Sequence, residues 1–252
     1  MTARALDAAV DAARAAGQIA LKYFHGGFKV VLKPDDTPVT PADREAEQAI
    51  VEILGRAFPN YGVLGEEFGG RGTREVRWIV DPIDGTKNFV RGIGVWATLI
   101  ALEERGEVTV GVIYNPVTAE LYTARRGAGA HRNGEAIRVS DVAELGRACF
   151  VHAGLGIVRK SGHWDGFVRL IDATDRQRGF GDYLGYGLVA EGKAEIYAEL
   201  DLKPWDVAAP KIVVEEAGGR FTDFLGRATI YSGTALATNG RLHDAARALL
   251  AP

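Results

Sequence analysis

One cysteine, Cys149, and five histidines are all that this 252-residue chain offers to soft metals. A lone thiol cannot close an intramolecular disulfide, and His25, His131, His152, His163 and His243 follow no zinc-ligand spacing. Cys149 is expected to be a buried structural residue without a catalytic role. The sequence also lacks any Lys/Arg block long enough to track a phosphate backbone; its net charge of −3 and pI near 6.0 point away from nucleic acid. No apolar run approaches the roughly 20 residues needed to span a bilayer. The opening MTARALDAAVDAARAAGQIALKYF is broken by charges, unlike a signal peptide. With no internal repeat and no low-complexity linker, the expectation is a cytoplasmic globular protein without a nucleic-acid or membrane partner.

What is present suits such a protein: 47% hydrophobic and 25% charged residues, in a chain long enough for one large domain or two closely packed halves. Leu6, Val10, Ala13, Gly17, Ile19 and Ala20 recur at helical spacing and predict a first amphipathic helix. In KPDDTPVTPADREAEQAIVEILGRAF a Pro/Asp-rich loop leads to a second helix, with Thr40 as N-cap, Pro41 at the first helical position and Asp43 in the opening turn. VWATLIALEER and EVTVGVIYN predict an antiparallel hairpin about Gly106. Two helices followed by antiparallel strands make an α+β pattern that closes near Ser140, dividing the chain into halves 1–140 and 141–252. The second half is expected to start with a strand around Ala148 to His152 and a helix from Trp164 to Ala173.

The strongest local signal is Asp81-Pro82-Ile83-Asp84-Gly85-Thr86, two acids delivered by the apolar run Trp78-Ile79-Val80. Carboxylates so close raise one another's proton affinity, and a divalent cation is a natural way to keep both ionised. Oxygen donors suit a hard ion such as Mg2+. Gly85 permits a tight turn, and Thr86 is expected to cap a following helix whose free N–H groups around Gly85 to Lys87 would hold a phosphate. The plain alternative is a solvated Asx turn. Glu66 and Glu67 end the preceding strand, and Asp206 is expected to open a helix that stops at Gly218-Gly219; their plain readings are a charged loop and an N-cap. Pro210 falls early in that helix and predicts an irregular or later start.

Together, GEEFGG, WIVDPIDGTKNF and PWDVAAPKIVVEEAGG closely resemble the three motifs of the inositol monophosphatase family, lithium-sensitive phosphatases, in order and in spacing. The resemblance runs from about Asp35 to Phe221. It implies a layered α/β/α/β/α sandwich, a homodimer, and two or three Mg2+ per subunit bound between the halves. Motif by motif, it implies that Glu66 and Asp81 ligate one metal with the Ile83 carbonyl, and that Asp84 and Asp206 join Asp81 at a second. Glu66 and Thr86 would orient the attacking water, Asp43 would stand near a weaker third ion, and Glu67 would act through water. The substrate would be a small phosphate ester, hydrolysed without a covalent phosphoenzyme.

Within that family, KPDDTPVTPADREAE, YGVLGEEFGG, DPIDGTKNFVRGIGVWATLIAL and above all Arg178-Gly179-Phe180-Gly181-Asp182-Tyr183 look more like the bacterial histidinol-phosphate phosphatases than the inositol branch. Histidinol phosphate carries an ammonium and an imidazole, which call for carboxylate partners. Asp182 and Glu199, with Arg178 beside them, are the candidate leaving-group residues. The plain readings are an Arg178–Asp182 salt bridge and a surface acid. Trp96, Tyr183, Tyr186 and Trp205 are expected to be mostly core. The alternatives are an inositol, sugar or nucleotide phosphatase of the same superfamily, and a metal-binding pseudo-enzyme.

Overall fold

Small side chains set the first layer of the fold. In the computed structural model, which describes residues 2–27, 31–32 and 38–251, the helix α1 (Thr2–Gly26) turns Ala5, Ala9, Ala12, Ala13, Ala16, Gly17 and Ala20 inward. Of the stripe expected from the sequence, Ala13, Gly17 and Ala20 are buried, whereas Leu6, Val10 and Ile19 are only half-buried. The reason is close approach: a Cβ on Gly17 would press on the Tyr114 ring. Helix α2 (Pro41–Ala57) lies beside α1 and starts as expected, with Ala42 N–H donating to Thr40 Oγ1 and Asp43 closing a capping box. The Pro/Asp-rich loop expected before it, residues 33–37, lies outside the described residues; Val31–Leu32 (β1) pairs with Pro38–Val39 (β2).

These helices cover one face of an eight-stranded sheet built from β3 (Gly62–Gly65), β4 (Gly69–Arg71), β5 (Val76–Asp84), β6 (Ala97–Glu104), β7 (Glu107–Asn115), β8 (Glu120–Arg125), β9 (Ala130–Arg132) and β10 (Glu135–Ile137). The spatial order is β10-β9-β8-β7-β6-β5-β3-β4, and among the described residues β3 with β5 is its only parallel pair. The hairpin expected about Gly106 is β6–β7.

A five-stranded sheet follows: β11 (Cys149–His152), β12 (Arg176–Gly179), β13 (Ile196–Leu200), β14 (Arg220–Thr222) and β15 (Thr234–Thr238), in the order β12-β11-β13-β15-β14. Between the sheets run α6 (Asp182–Ala190) and α7 (Pro204–Glu216), sharing one core with Tyr122, Ile113 and Leu99 on one side and Tyr197 and Ala237 on the other. On the far face, α5 (Trp164–Ala173) and α8 (His243–Leu250) pack with α4 (Leu155–Lys160) through Phe167, Leu170, Ala246 and Val158. Strand β13 explains the layering: Ile196, Ala198 and Leu200 face the outer helices, while Tyr197 and Glu199 alternate toward the inner ones. The result is a five-layer α/β/α/β/α sandwich. The strands of the larger sheet end at Ile137 and those of the smaller begin at Cys149.

Two local expectations need correction. Helix α7 starts at Pro204 and runs unbroken to Glu216 with Pro210 inside it, because the lost N–H releases only the Asp206 carbonyl in the first turn. Cys149 is half-buried on β11 rather than buried; burial still pushes its thiol pKa up, which keeps it protonated and inert.

Candidate active site

A fault in the sheet makes the acid pair converge. Asp81 and Asp84 stand three residues apart, so in an unbroken strand they would face opposite sides. Along β5, however, Asp81 pairs with Leu99 and Asp84 with Ala97, so three steps on one strand match two on the other. This bulge brings both carboxylates to the same side. It is pinned by Thr98 Oγ1 donating to the Pro82 carbonyl at 2.9 Å and by Ile83 N–H donating to Asp81 Oδ1 at 2.9 Å.

The turn after the bulge differs from expectation. Gly85, at φ +88°, is the N-cap of α3 (Thr86–Val90), a helix of a single turn, and Thr86 lies inside it. The Thr86 hydroxyl caps nothing; it donates to the Ile83 carbonyl at 2.9 Å and stands 3.4 Å from Asp43 Oδ1. Five residues are too few to sum a useful macrodipole, so the expected helix-end phosphate site loses its electrostatic argument. Gly85 is needed for space: an added Cβ would meet the Val95 carbonyl at 3.0 Å and Asp182 Oδ2 at 3.3 Å.

Helix α7 delivers the third acid. Asp206 is its third residue rather than its N-cap, with Oδ2 accepting the Lys203 N–H at 2.6 Å. Single oxygens of Asp81, Asp84 and Asp206 lie within 4.8 Å of one another, and Glu66 hydrogen-bonds Asp81. The fold thus assembles Glu66, Asp81, Asp84 and Asp206 from two strand ends and a helix start. Asp43 reaches the same turn from α2, its Oδ2 held at 2.7 Å by both the Thr40 N–H and hydroxyl.

The electrostatics are those of a site built for cations. Burial, then the charges of Glu66, Asp84 and Asp206, push the Asp81 pKa well above the carboxylate range. Burial and then Asp182, Asp206 and Glu199 do the same to Asp84, against the Tyr183 N–H that donates to it at 2.6 Å. Burial raises Asp206 to about 7 and Asp43 to about 6. Such a set is tolerable when a positive ion offsets its repulsion, and an all-oxygen donor set fits a hard divalent ion such as Mg2+. The acidic triad is therefore a group that could hold a metal ion, as its clustering suggests.

Two further acids flank it. Asp182 opens α6 at φ +57°, with Asn88 Nδ2 donating to its Oδ2 at 2.9 Å; burial raises its pKa to about 6 against the opposing pull of Lys87. Glu199 is buried on β13 beneath the Tyr186 hydroxyl, which donates to it at 3.2 Å; burial and the Asp182 charge raise it to about 8.

Arg178 does not join them. It lies exposed on the edge strand β12, donating to the Gln177 carbonyl at 2.7 Å, and no ion pair links it to Asp182 among the described residues. Charged side chains that face outward protect such an edge. Trp96, Tyr183 and Tyr186 are core residues, as expected, and Trp205 is half-buried. Sequence reasoning missed Asn88, hidden inside the DPIDGTKNF motif, and Glu47, one turn after Asp43 on α2. Glu47 is fully buried and accepts the N–H groups of Glu67 at 2.7 Å and Phe68 at 3.1 Å. Its position four residues after Asp43 was the available signal.

The inositol monophosphatase family model matches residues 2–251. The chain is 50% identical over 223 residues to the histidinol-phosphatase of Mycobacterium tuberculosis (strain ATCC 25618 / H37Rv), an alignment covering 86% of each. It is 45% identical over 230 residues to the histidinol-phosphatase of Streptomyces coelicolor, covering 86% of this chain and 85% of the relative. Among solved structures, the extragenic suppressor protein suhB from Bartonella henselae superposes with a TM-score of 0.91 at 34% identity, over 98% of both chains. No helix among the described residues is long and apolar enough to cross a membrane.

Proposed function

The chain belongs to the inositol monophosphatase family and is a phosphomonoesterase for a small phosphate ester, and from that premise we propose that its substrate is histidinol phosphate. One observation carries this reading: two acids, the half-buried Asp182 and the buried Glu199, adjoin the acidic triad without being part of it. A polyol leaving group needs hydroxyl partners only, whereas an ammonium and an imidazole need negative charge. The histidinol-phosphatase names of the two curated relatives support the same choice.

In this proposal Asp81, Asp84, Asp206, Glu66 and the Ile83 carbonyl hold Mg2+, two or three ions per subunit, with Asp43 nearest the weakest. When bound, Mg2+ supplies Lewis acidity toward the phosphate oxygens and lowers the pKa of water. Glu66 and Thr86 orient the attacking water. The Thr86 hydroxyl, between the Ile83 carbonyl and Asp43 Oδ1, can accept a hydrogen bond from that water while passing its own toward Asp43. Gly85 and Thr86 would bind the phosphate from the turn, and the water's oxygen replaces the ester oxygen, which departs with the proton the water gives up. The proposal includes a homodimer in the cytoplasm; the homodimer rests on the family alone.

The test is kcat/KM for histidinol phosphate against myo-inositol 1-phosphate under saturating Mg2+. Preference for the inositol ester would overturn the substrate, and no turnover across a panel of sugar and nucleotide phosphates would favour a pseudo-enzyme. Asp182→Asn keeps a side chain that tolerates the left-handed backbone and can still bond Asn88. It is expected to lower kcat/KM for histidinol phosphate about 10- to 100-fold, the worth of a charged hydrogen bond, and for the inositol ester much less. Equal losses would remove Asp182 from substrate selection.

A further inference from the structure

Glu66 enters the site from a turn at the edge of the large sheet. Strand β3 ends at Gly65, β4 resumes at Gly69, and β4 is a glycine-rich edge strand with Gly70 and Arg71 exposed. Phe68, in the middle of the turn, is 46% exposed. The sheet holds the turn through the Gly65–Gly69 pairing of β3 with β4 and through the Glu66 N–H, which donates to the Val80 carbonyl at 3.3 Å. Its next two N–H groups, of Glu67 and Phe68, both point into the carboxylate of Glu47, one to each oxygen.

Glu47 is an expensive anchor. It is fully buried, and the charges it faces across the turn are the like charges of Glu66 and Glu67. Burying a carboxylate among carboxylates is a poor way to stabilise a fold, since an apolar side chain of similar volume would avoid the repulsion. What the carboxylate supplies is direction. Its two oxygens clamp successive N–H groups, and α2 fixes its origin because Asp43, one turn earlier on the same helix face, reaches Thr86 in the other acid-bearing turn. Gly65 completes the fit, since a Cβ there would collide with Glu47 Oε1.

We propose that Glu47 is a positioning residue for the metal site: by clamping the N–H groups of Glu67 and Phe68 it sets the reach of Glu66 toward Asp81, and so the affinity of the site for divalent metal. The proposal rests on Glu66 being a metal ligand. Helix α2 thereby acts as a ruler for two acidic turns, through Asp43 to one and Glu47 to the other.

The test is Mn2+ binding by the full-length protein without substrate, followed by the electron-paramagnetic signal of free Mn2+. The variants are Glu47→Gln, Gly65→Ala and, as reference, Glu66→Gln. Glu47→Gln puts an NH2 against a backbone N–H, and Gly65→Ala displaces Glu47 while leaving every acid in the chain. Each is expected to weaken the tightest Mn2+ binding about 10-fold or more, the usual cost of losing a partner that orients a ligand, with metal-free melting close to wild type. Turnover should recover as Mg2+ is raised, which a general loss of structure would not allow. Wild-type Mn2+ affinity in Glu47→Gln and Gly65→Ala alongside weak binding in Glu66→Gln overturns the role of Glu47 alone. Wild-type affinity in Glu66→Gln removes the ligand reading, and this proposal with it. Should Glu47→Gln fail to fold, Gly65→Ala decides.

Discussion

Asp84→Asn is expected to lower turnover under saturating Mg2+ by about three orders of magnitude or more, roughly 4 kcal/mol of transition-state stabilisation. Asp84 sits at the end of the β5 bulge, with one oxygen in the acidic triad and Oδ2 held by the Tyr183 N–H. Asparagine has the same shape, so an amide oxygen can still accept from Tyr183. What is lost is the charge that draws a cation into the site. The same loss relieves repulsion from Asp182, Asp206 and Glu199, so the metal-free variant should melt no lower than wild type. This pairing separates a catalytic defect from a folding defect: steady-state turnover and metal-free melting are measured on one preparation. Near-normal turnover would end the assignment of Asp84 as a ligand.

Chelating the metal is expected to cost about 5–10 °C in melting temperature near pH 8 and much less near pH 5. The size follows from occupancy: a ligand at 100 times its dissociation constant contributes about 2.7 kcal/mol, and a domain of this size shifts about 2–4 °C per kcal/mol. The pH dependence follows from the carboxylates. Asp43 and Asp182 are raised to about 6, Asp206 to about 7 and Glu199 to about 8, while Asp81 and Asp84 are pushed well above their ordinary values.

Between about pH 4 and pH 8 the metal-free folded protein therefore holds more protons than the unfolded chain, so its stability falls as pH rises. The contribution of these acids is full below their ordinary pKa values and is lost as pH climbs through the raised ones. His243 opposes this, its pKa lowered to about 4 by burial and by Arg220, but it is one group against these six and Glu47, which burial also raises. A divalent cation takes the place of those protons, so its stabilising effect grows with pH. Melting curves across this range, with chelator and with saturating Mg2+, check both slopes. A metal-induced shift that is larger near pH 5 than near pH 8 would contradict the cation site.

How far the chain speaks for itself depends on the range over which a signal acts. The start of α2 was readable because Thr40 and Asp43 make their bonds within one turn and Pro41 has no N–H to satisfy there. The β6–β7 hairpin was readable because its alternation and its Gly106 turn are local, and the family motifs because each is a short string. These determined the fold class and the identity of the acids. Local strings fared worse where bonds run elsewhere. Thr86 looked like a cap and instead serves the Ile83 carbonyl, and Arg178 looked like a pocket residue although its strand lies at the sheet edge.

Convergence belonged to the tertiary structure. Whether Asp81 and Asp84 share a side depends on one extra residue against β6, a matter of register with a strand that comes later in the chain. Whether Asp206 meets them depends on α7 packing between two sheets, and Glu47 gains its meaning only when the Glu67–Phe68 turn folds over α2. Composition and short motifs report which groups are available and what local backbone they favour. The distances between those groups are set by packing across the sheets, where contacts join residues too far apart in the chain for any local pattern to encode them.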